Sequence, residues 1–256
     1  MPTILQSAFP EPVSGSMLAV LTLVCIVAGM VRGFSGFGSA MIMAPIYSAV
    51  FGPAVAVPVV LLTEMLISLP LLASARKSAV MSTVKQMLLA ATAGAVFGLG
   101  LVVMLPVDTL ASLVALTVLG FVALMIAQDH RQPVRRPATI KQRYLAGGAS
   151  GLFGSISGMT GPPAVMLLLR TEMPAYAIRA TLIVYFMLID AVLVSLYVVQ
   201  QEQVRMEWLS LGILSFLPMI LGAWLGGKMF NLASEGMFRK ITLMLIAGSA
   251  LGSLFL

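Results

Sequence analysis

The feature that most constrains this chain is a succession of long apolar runs with almost no charge inside them. Ala54–Ala73, Val84–Leu105, Val107–Ala127, Tyr176–Val199, Trp208–Lys228 and Lys240–Leu256 each approach the roughly 20 apolar residues, or about 30 Å of helix, that cross a hydrocarbon layer. Only 9% of the 256 residues are charged and mean hydropathy is +1.05, whereas a soluble domain carries about 25% charged residues. Such a chain has too little polar surface to face water, so lipid must be its solvent. The expected fold class is an all-α, polytopic membrane protein.

A net charge of +6 does not point to nucleic acid. The basic residues lie in short loops between apolar runs, with no basic face carrying interleaved aromatics. One cysteine, Cys25, excludes an internal disulfide, and one histidine, His130, sits in a hydrophilic loop. A Cys/His metal site or a Ser–His triad is therefore not expected, nor is a cofactor. Met1–Ser16 holds no Lys or Arg, unlike the start of a secretory signal peptide, so the first apolar run is expected to stay in the protein.

Four further runs, Met17–Val31, Ala40–Val50, Tyr144–Phe153 and Pro162–Leu169, read as too short to cross. They form two pairs, each flanking a glycine-rich break: GFSGFGS (Gly33–Ser39) and GSISGMTGPP (Gly154–Pro163). Short helix, break and short helix predict a re-entrant hairpin, which is tolerated at membrane depth where protein or a water-filled cavity satisfies the backbone. The alternative is one long helix whose glycines permit close packing. Against it, Pro162 and Pro163 follow Gly161, and proline suits a helix's first turn but not its interior.

Eleven of the 15 Lys and Arg residues fall in three loops, around Arg76–Lys85, Gln128–Arg143 and Lys228–Lys240, expected to face the cytoplasm. Gln200–Glu207 and Pro106–Asp108 are expected outside, as are both termini. Threading the chain through these loops gives two halves, each a broken hairpin followed by three full spans. Residues 1–130 form the first, 131–143 a cytoplasmic basic linker and 144–256 the second. Three spans per half invert the second relative to the first. Gly29, Gly33 and Gly36 align with Gly154, Gly158 and Gly161, and the G-x-x-x-G pair Gly94/Gly98 with Gly222/Gly226. Such pairs let helices pack closely. Inverted repeats with matching broken segments are a transporter signature, with the site expected where the breaks meet near the midplane.

The pattern G-x-x-x-G-x-S-G-x-G followed by a proline, Gly29 to Pro45, resembles the first half of the sulfite exporter TauE/SafE family. Gly151–Gly154 through Gly161-Pro162-Pro163 resembles that family's glycine-proline element, and the resemblance runs from about Met17 to Leu256. Where this chain has Ser39-Ala40, the family's motif usually has more glycine. The resemblance implies export of sulfite or organosulfonates such as sulfoacetate across a bacterial inner membrane, driven by an ion gradient, commonly protons.

A small anion needs donors and positive potential. The N-termini of Ala40–Val50 and Pro162–Leu169 offer free N–H groups and partial positive charge, with Ser35, Ser39, Ser157 and Thr160 beside them. Gly33, Gly36, Gly38, Gly158 and Gly161 let an oxyanion approach the backbone, next to Pro162. The alternative is that these small residues only pack. Arg32 precedes the first break and is a candidate anion partner; pairing with a carboxylate or snorkelling are the other readings. Glu64 and Asp190, near the centres of equivalent spans, are candidate ion-coupling residues, and Tyr185 aligns with Glu64. Either carboxylate could instead pair with Arg32 or Arg179. Arg170 and Arg179 obey the cytoplasmic charge bias or draw anions inward. The nineteen methionines read as core filler. No nucleophile–base pair or metal-ligand set is found, so an enzyme is not expected. A carrier of another anion, a cation or a neutral metabolite, or a membrane subunit that transports nothing, remains the competing class.

Overall fold

The computed structural model describes residues 15–106, 136–200 and 206–234, with single positions at 109, 116, 120 and 237. The expected spans Val107–Ala127 and Lys240–Leu256, Met1–Ser14, most of the Gln128–Arg143 loop and most of the Gln200–Glu207 loop lie outside the described residues. Within them the fold is all-helical, with eight helices: α1 (Gly15–Ser35), α2 (Ser39–Phe51), α3 (Pro53–Ala75), α4 (Met81–Met104), α5 (Ile140–Ser157), α6 (Gly161–Leu169), α7 (Ala175–Gln200) and α8 (Met206–Leu232). Five of them, α1, α3, α4, α7 and α8, are long and apolar enough to cross a membrane.

One reading is corrected here. The run Met17–Val31 was expected to be too short to cross, but α1 has 21 residues. The helix continues through Arg32 because that side chain is buried and paired rather than turned to solvent. The partner helix α2 has 13 residues. In the second pair α5 has 18 and α6 only 9.

Both pairs fold back as hairpins across three-residue breaks, Gly36–Gly38 and Gly158–Thr160. Each break opens on a glycine with positive φ, Gly36 at 81° and Gly158 at 72°, a conformation that costs L side chains but not glycine. In the first hairpin Cys25 on α1 meets Tyr47 on α2 at 3.2 Å. In the second, the Ser150 hydroxyl donates to the Thr160 carbonyl and the Arg136 N–H to the Arg170 carbonyl at 3.2 Å. The approach to α5 therefore lies beside the end of α6.

Glycine decides how the long helices touch. A β-carbon on Gly29 or Gly33 would run into the carbonyls of Met219 and Ala223, and one on Gly222 or Gly226 into those of Ile26 and Met30. Thus α1 and α8 lie side by side in the same direction. The pair α4 and α5 does the same: Gly94 abuts Gly148, Gly98 abuts Leu152, and Gly147 and Gly151 abut Met87 and Ala91. Backbones this close are characteristic of small-residue membrane crossings. The breaks fall short of the neighbouring helix ends. Gly226 lies against Phe34, next to the end of α1, and α8 continues from there to Leu232. Gly98 lies against Leu152 and Ser155 near the end of α5, and α4 continues to Met104. Six further residues in each case are about 9 Å of helix.

Helices α3 and α7 cross at the centre. The outward faces of α4 and α8 expose Leu89, Phe97, Leu217, Leu221 and Trp224, an apolar surface for lipid to cover. At one end the Val80 N–H donates to Thr181 at 3.0 Å and Arg143 donates to Gln86 at 2.9 Å. These contacts gather the starts of α4, α5 and α7, and with them Arg76, Lys77, Lys85, Lys141 and Arg143, at a single basic end.

Candidate functional site

The polar centre is built from both halves. From α1, Arg32 is 1% exposed. Its Nη1 lies 2.9 Å from Glu64 Oε2 on α3, and its Nη2 donates to Ser68 Oγ at 2.6 Å. Ser68 in turn donates to the Glu64 carbonyl at 2.7 Å. Glu64 and Ser68 are one helical turn apart, so a single turn of α3 holds the guanidinium twice. The guanidinium also lies 5.3 Å from the Phe186 ring centroid on α7, a cation–π contact. Arg32 Nε and Glu64 Oε1 have no hydrogen-bond partner.

Phe186 carries the centre across to the second break. A methyl group built on Gly161, at the start of α6, would sit 3.7 Å from Phe37 in the first break and 3.9 Å from Phe186. One turn beyond Phe186, Asp190 is 1% exposed. Its Oδ1 accepts from the Thr160 hydroxyl at 3.4 Å, its Oδ2 has no partner, and it lies within electrostatic reach of Glu64 and Arg32. The structure thus brings together both breaks, both carboxylates and Arg32.

Two helix N-termini end here, buried and without a side-chain cap: α2 after Gly38, with φ 95°, and α6 after Thr160, with proline in its first turn. Pro162 is buried at the start of α6. The hydroxyls predicted beside these termini divide into two kinds. Ser35 shares its one hydroxyl proton between the Val31 and Phe37 carbonyls, 2.8 and 2.7 Å away, and accepts from the Phe37 N–H at 3.3 Å, and Ser157 donates to the Phe153 carbonyl at 2.8 Å. Both therefore serve the backbone around the breaks. The Ser39 hydroxyl is fully buried and has no partner, and the same holds for Tyr185. Gly33 lies inside α1, and its carbonyl accepts from Arg179 Nη2 at 2.7 Å and Nε at 3.1 Å.

That contact is the main one the sequence reading missed. Arg179 was assigned to the cytoplasmic charge bias or a carboxylate partner. It is only half-buried, stacks 4.7 Å from the Phe230 ring, packs against Gly36 and lies within electrostatic reach of Arg32. The spacing Arg179, Phe186 and Asp190, at i, i+7 and i+11 on one helical face, carried the signal. Ser68, one turn from Glu64, was detectable in the same way. A second polar set, Cys25, Tyr47 and Ser215, links α1, α2 and α8, with 2.6 Å between the Tyr47 and Ser215 oxygens. At the basic end a cavity of about 490 Å³ opens at the mouth of the second hairpin, lined by Arg136, Gln142, Arg170 and Thr171 among others.

Among the described residues, helices long and apolar enough to cross a membrane surround a buried charged centre, the plan of a multi-pass membrane protein. The family model for the sulfite exporter TauE/SafE matches residues 21–253, and the chain belongs to that family of multi-pass membrane transporters. No curated protein and no solved structure matches it.

Proposed function

We propose that this protein exports a small sulfur-containing anion, sulfite or an organosulfonate such as sulfoacetate, across the bacterial inner membrane, and holds it between the two breaks. The observation that carries this reading is the convergence of two buried, uncapped helix N-termini on a centre containing Arg32. Each N-terminus contributes about half a positive charge; α2 opens on Ser39-Ala40-Met41 with an N–H on each, α6 keeps the Gly161 N–H ahead of Pro162 and Pro163, and the unpartnered Ser39 hydroxyl adds one more donor. Opposed half-helices are a known way to hold an anion at mid-depth. The charged mouth with Arg136 and Arg170 would concentrate anions at the basic end, which faces the cytoplasm on this reading.

The architecture we infer is two inverted repeats. Its support is the matched packing: α1 along α8 and α5 along α4, each through paired small residues, with α3 against α7 between them. The glycine register differs from the identity-based alignment. The turn glycines Gly36 and Gly158 correspond, whereas Gly29 corresponds to Gly151, since each packs on a carbonyl of the paired long helix. Asp190 and Glu64 are assigned to ion coupling, with protons as the coupling ion.

The test is sulfite efflux from proteoliposomes loaded with sulfite. Efflux by the wild-type chain, lost in Arg32→Ala and in Gly161→Leu, is the expected outcome. Equal efflux in all three would remove the breaks and Arg32 from the pathway.

A further inference from the structure

We infer, resting on the anion site proposed above, that Glu64 is an internal competitor of the transported anion. It occupies Arg32 in the empty protein and releases it when a proton takes its place, so that anion and proton enter the site together. The geometry sets the problem. Both side chains of the pair are nearly sealed, at 2% and 4% exposure, and 2.9 Å apart. With Nη2 on Ser68 and one face on Phe186, the guanidinium has only Nε unpartnered. An incoming oxyanion that takes both terminal nitrogens of Arg32 displaces a carboxylate already there.

Charge balance gives the solution. The sealed pair of Arg32 and Glu64 is neutral as it stands. Adding an anion to that neutral pair leaves a negative charge uncompensated in a buried site, which is costly. A proton taken from solution by the Glu64 carboxylate cancels it. One O–H bond forms on Glu64, the ion pair with Arg32 gives way to an ion pair between Arg32 and the anion, and the proton returns to solution when the anion leaves. Glu64 Oε1, buried and unpartnered, can accept that proton while Oε2 still faces Arg32.

Among the described residues, charged and titratable groups also lie on the helices around α3. Arg32 faces Glu64 from α1, and α7 carries Asp190 within its electrostatic reach, with Tyr185 beside Asp190 and Arg179 toward Arg32. From α8, Glu207 is exposed at the helix start, and Lys228 is exposed and lies over Trp224. On α2, Tyr47 is engaged with Cys25 and Ser215, and on α5 the ionisable side chains sit in the first turns, at the basic end. Asp190 is the rival proton acceptor, and the experiment separates the two.

The experiment is calorimetric titration of the purified full chain with sulfite and with methanesulfonate, whose charge does not change with pH, in buffers of different ionisation enthalpy. Wild type is expected to take up about one proton per methanesulfonate bound, by linkage between protonation and binding. Glu64→Gln is expected to take up none and, at pH 8, to bind about tenfold or more tightly than wild type. Asp190→Asn is expected to retain the uptake. A folded Glu64→Gln protein that binds no more tightly, or still takes up the proton, overturns the inference. Proton uptake lost in Asp190→Asn but kept in Glu64→Gln overturns it as well. If Glu64→Gln does not fold, Glu64→Asp substitutes: its shorter reach must loosen the hold on Arg32 and tighten anion binding, and no gain counts against the inference. Wild type binding neither anion overturns the anion site itself. Binding lost in Arg32→Gln, without any gain at Glu64, overturns only the competition.

Discussion

The two hairpins have the same backbone and opposite chemistry. Each breaks over three residues, opens the break on a left-handed glycine and starts its second helix in a buried, uncapped turn. Beside the first break stands a guanidinium held by a carboxylate and a serine, with a second guanidinium on the Gly33 carbonyl. Beside the second break stands a carboxylate with one long contact to a threonine and an oxygen left unpartnered. The difference teaches that backbone geometry and charge are separable in this fold. The breaks share a turn, and the side chains beside them differ: a guanidinium paired with a carboxylate at the first, a carboxyl without a cationic partner in hydrogen-bond contact at the second.

Removing the positive group is the largest perturbation of that comparison. Arg32→Ala leaves Glu64 buried without its partner, and breaking a buried pair costs about 3–5 kcal/mol. Thermal unfolding in detergent should show a large drop, and sulfite efflux should be lost. The matching change on the other side, Asp190→Asn, removes a carboxylate with no cationic partner in hydrogen-bond contact. It should leave the melting temperature close to wild type, and sulfite efflux should fall less than in Arg32→Ala. Equal destabilisation by the two substitutions would mean that the halves are not divided as described.

A smaller effect separates scaffold from site. Gly226→Val and Gly151→Val each force a side chain into a facing carbonyl and should destabilise by at least about 1–3 kcal/mol. Gly100→Ala, which has open space at its β-carbon, should change stability by less than about 0.5 kcal/mol. Similar losses from Gly226 and Gly151 sharpen the equivalence of the two crossings, and a loss at only one breaks it.

The smallest effect compares two serines of the first hairpin. Ser35→Ala removes a hydroxyl that donates to a backbone carbonyl and accepts from the Phe37 N–H, and should cost about 1 kcal/mol of stability, with anion affinity little changed. Ser39→Ala removes an unpartnered hydroxyl and should be close to neutral in stability but weaken sulfite binding several-fold by calorimetry. The reverse pattern would assign Ser39 to the scaffold.

Much of this was legible before any coordinates. Apolar run lengths located α3, α4, α7 and α8, because hydrocarbon imposes a length on any helix that crosses it. Glycine followed by proline marked the second break. Arg32, Glu64 and Asp190 stood out because charge inside an apolar run is costly and needs a reason. Less legible was anything that depends on partners. The run before Arg32 looked too short because a charged residue reads as a helix end, and only its pairing with Glu64 lets α1 continue to Ser35. Glycine identity alone does not tell its two jobs apart here, left-handed turns at Gly36 and Gly158 and close crossings at Gly29 and Gly151. Ser35 and Ser157 looked like free donors, since a sequence cannot show that a hydroxyl is already spent on a carbonyl one turn back.

The most direct test of the central claim is a structure of the full chain with sulfite bound. The account predicts density between the two breaks, within hydrogen-bond distance of the backbone N–H groups at the starts of α2 and α6, with Arg32 turned from Glu64 toward the ligand. Sulfite bound elsewhere, with the Arg32–Glu64 pair intact and both helix starts unoccupied, would contradict it.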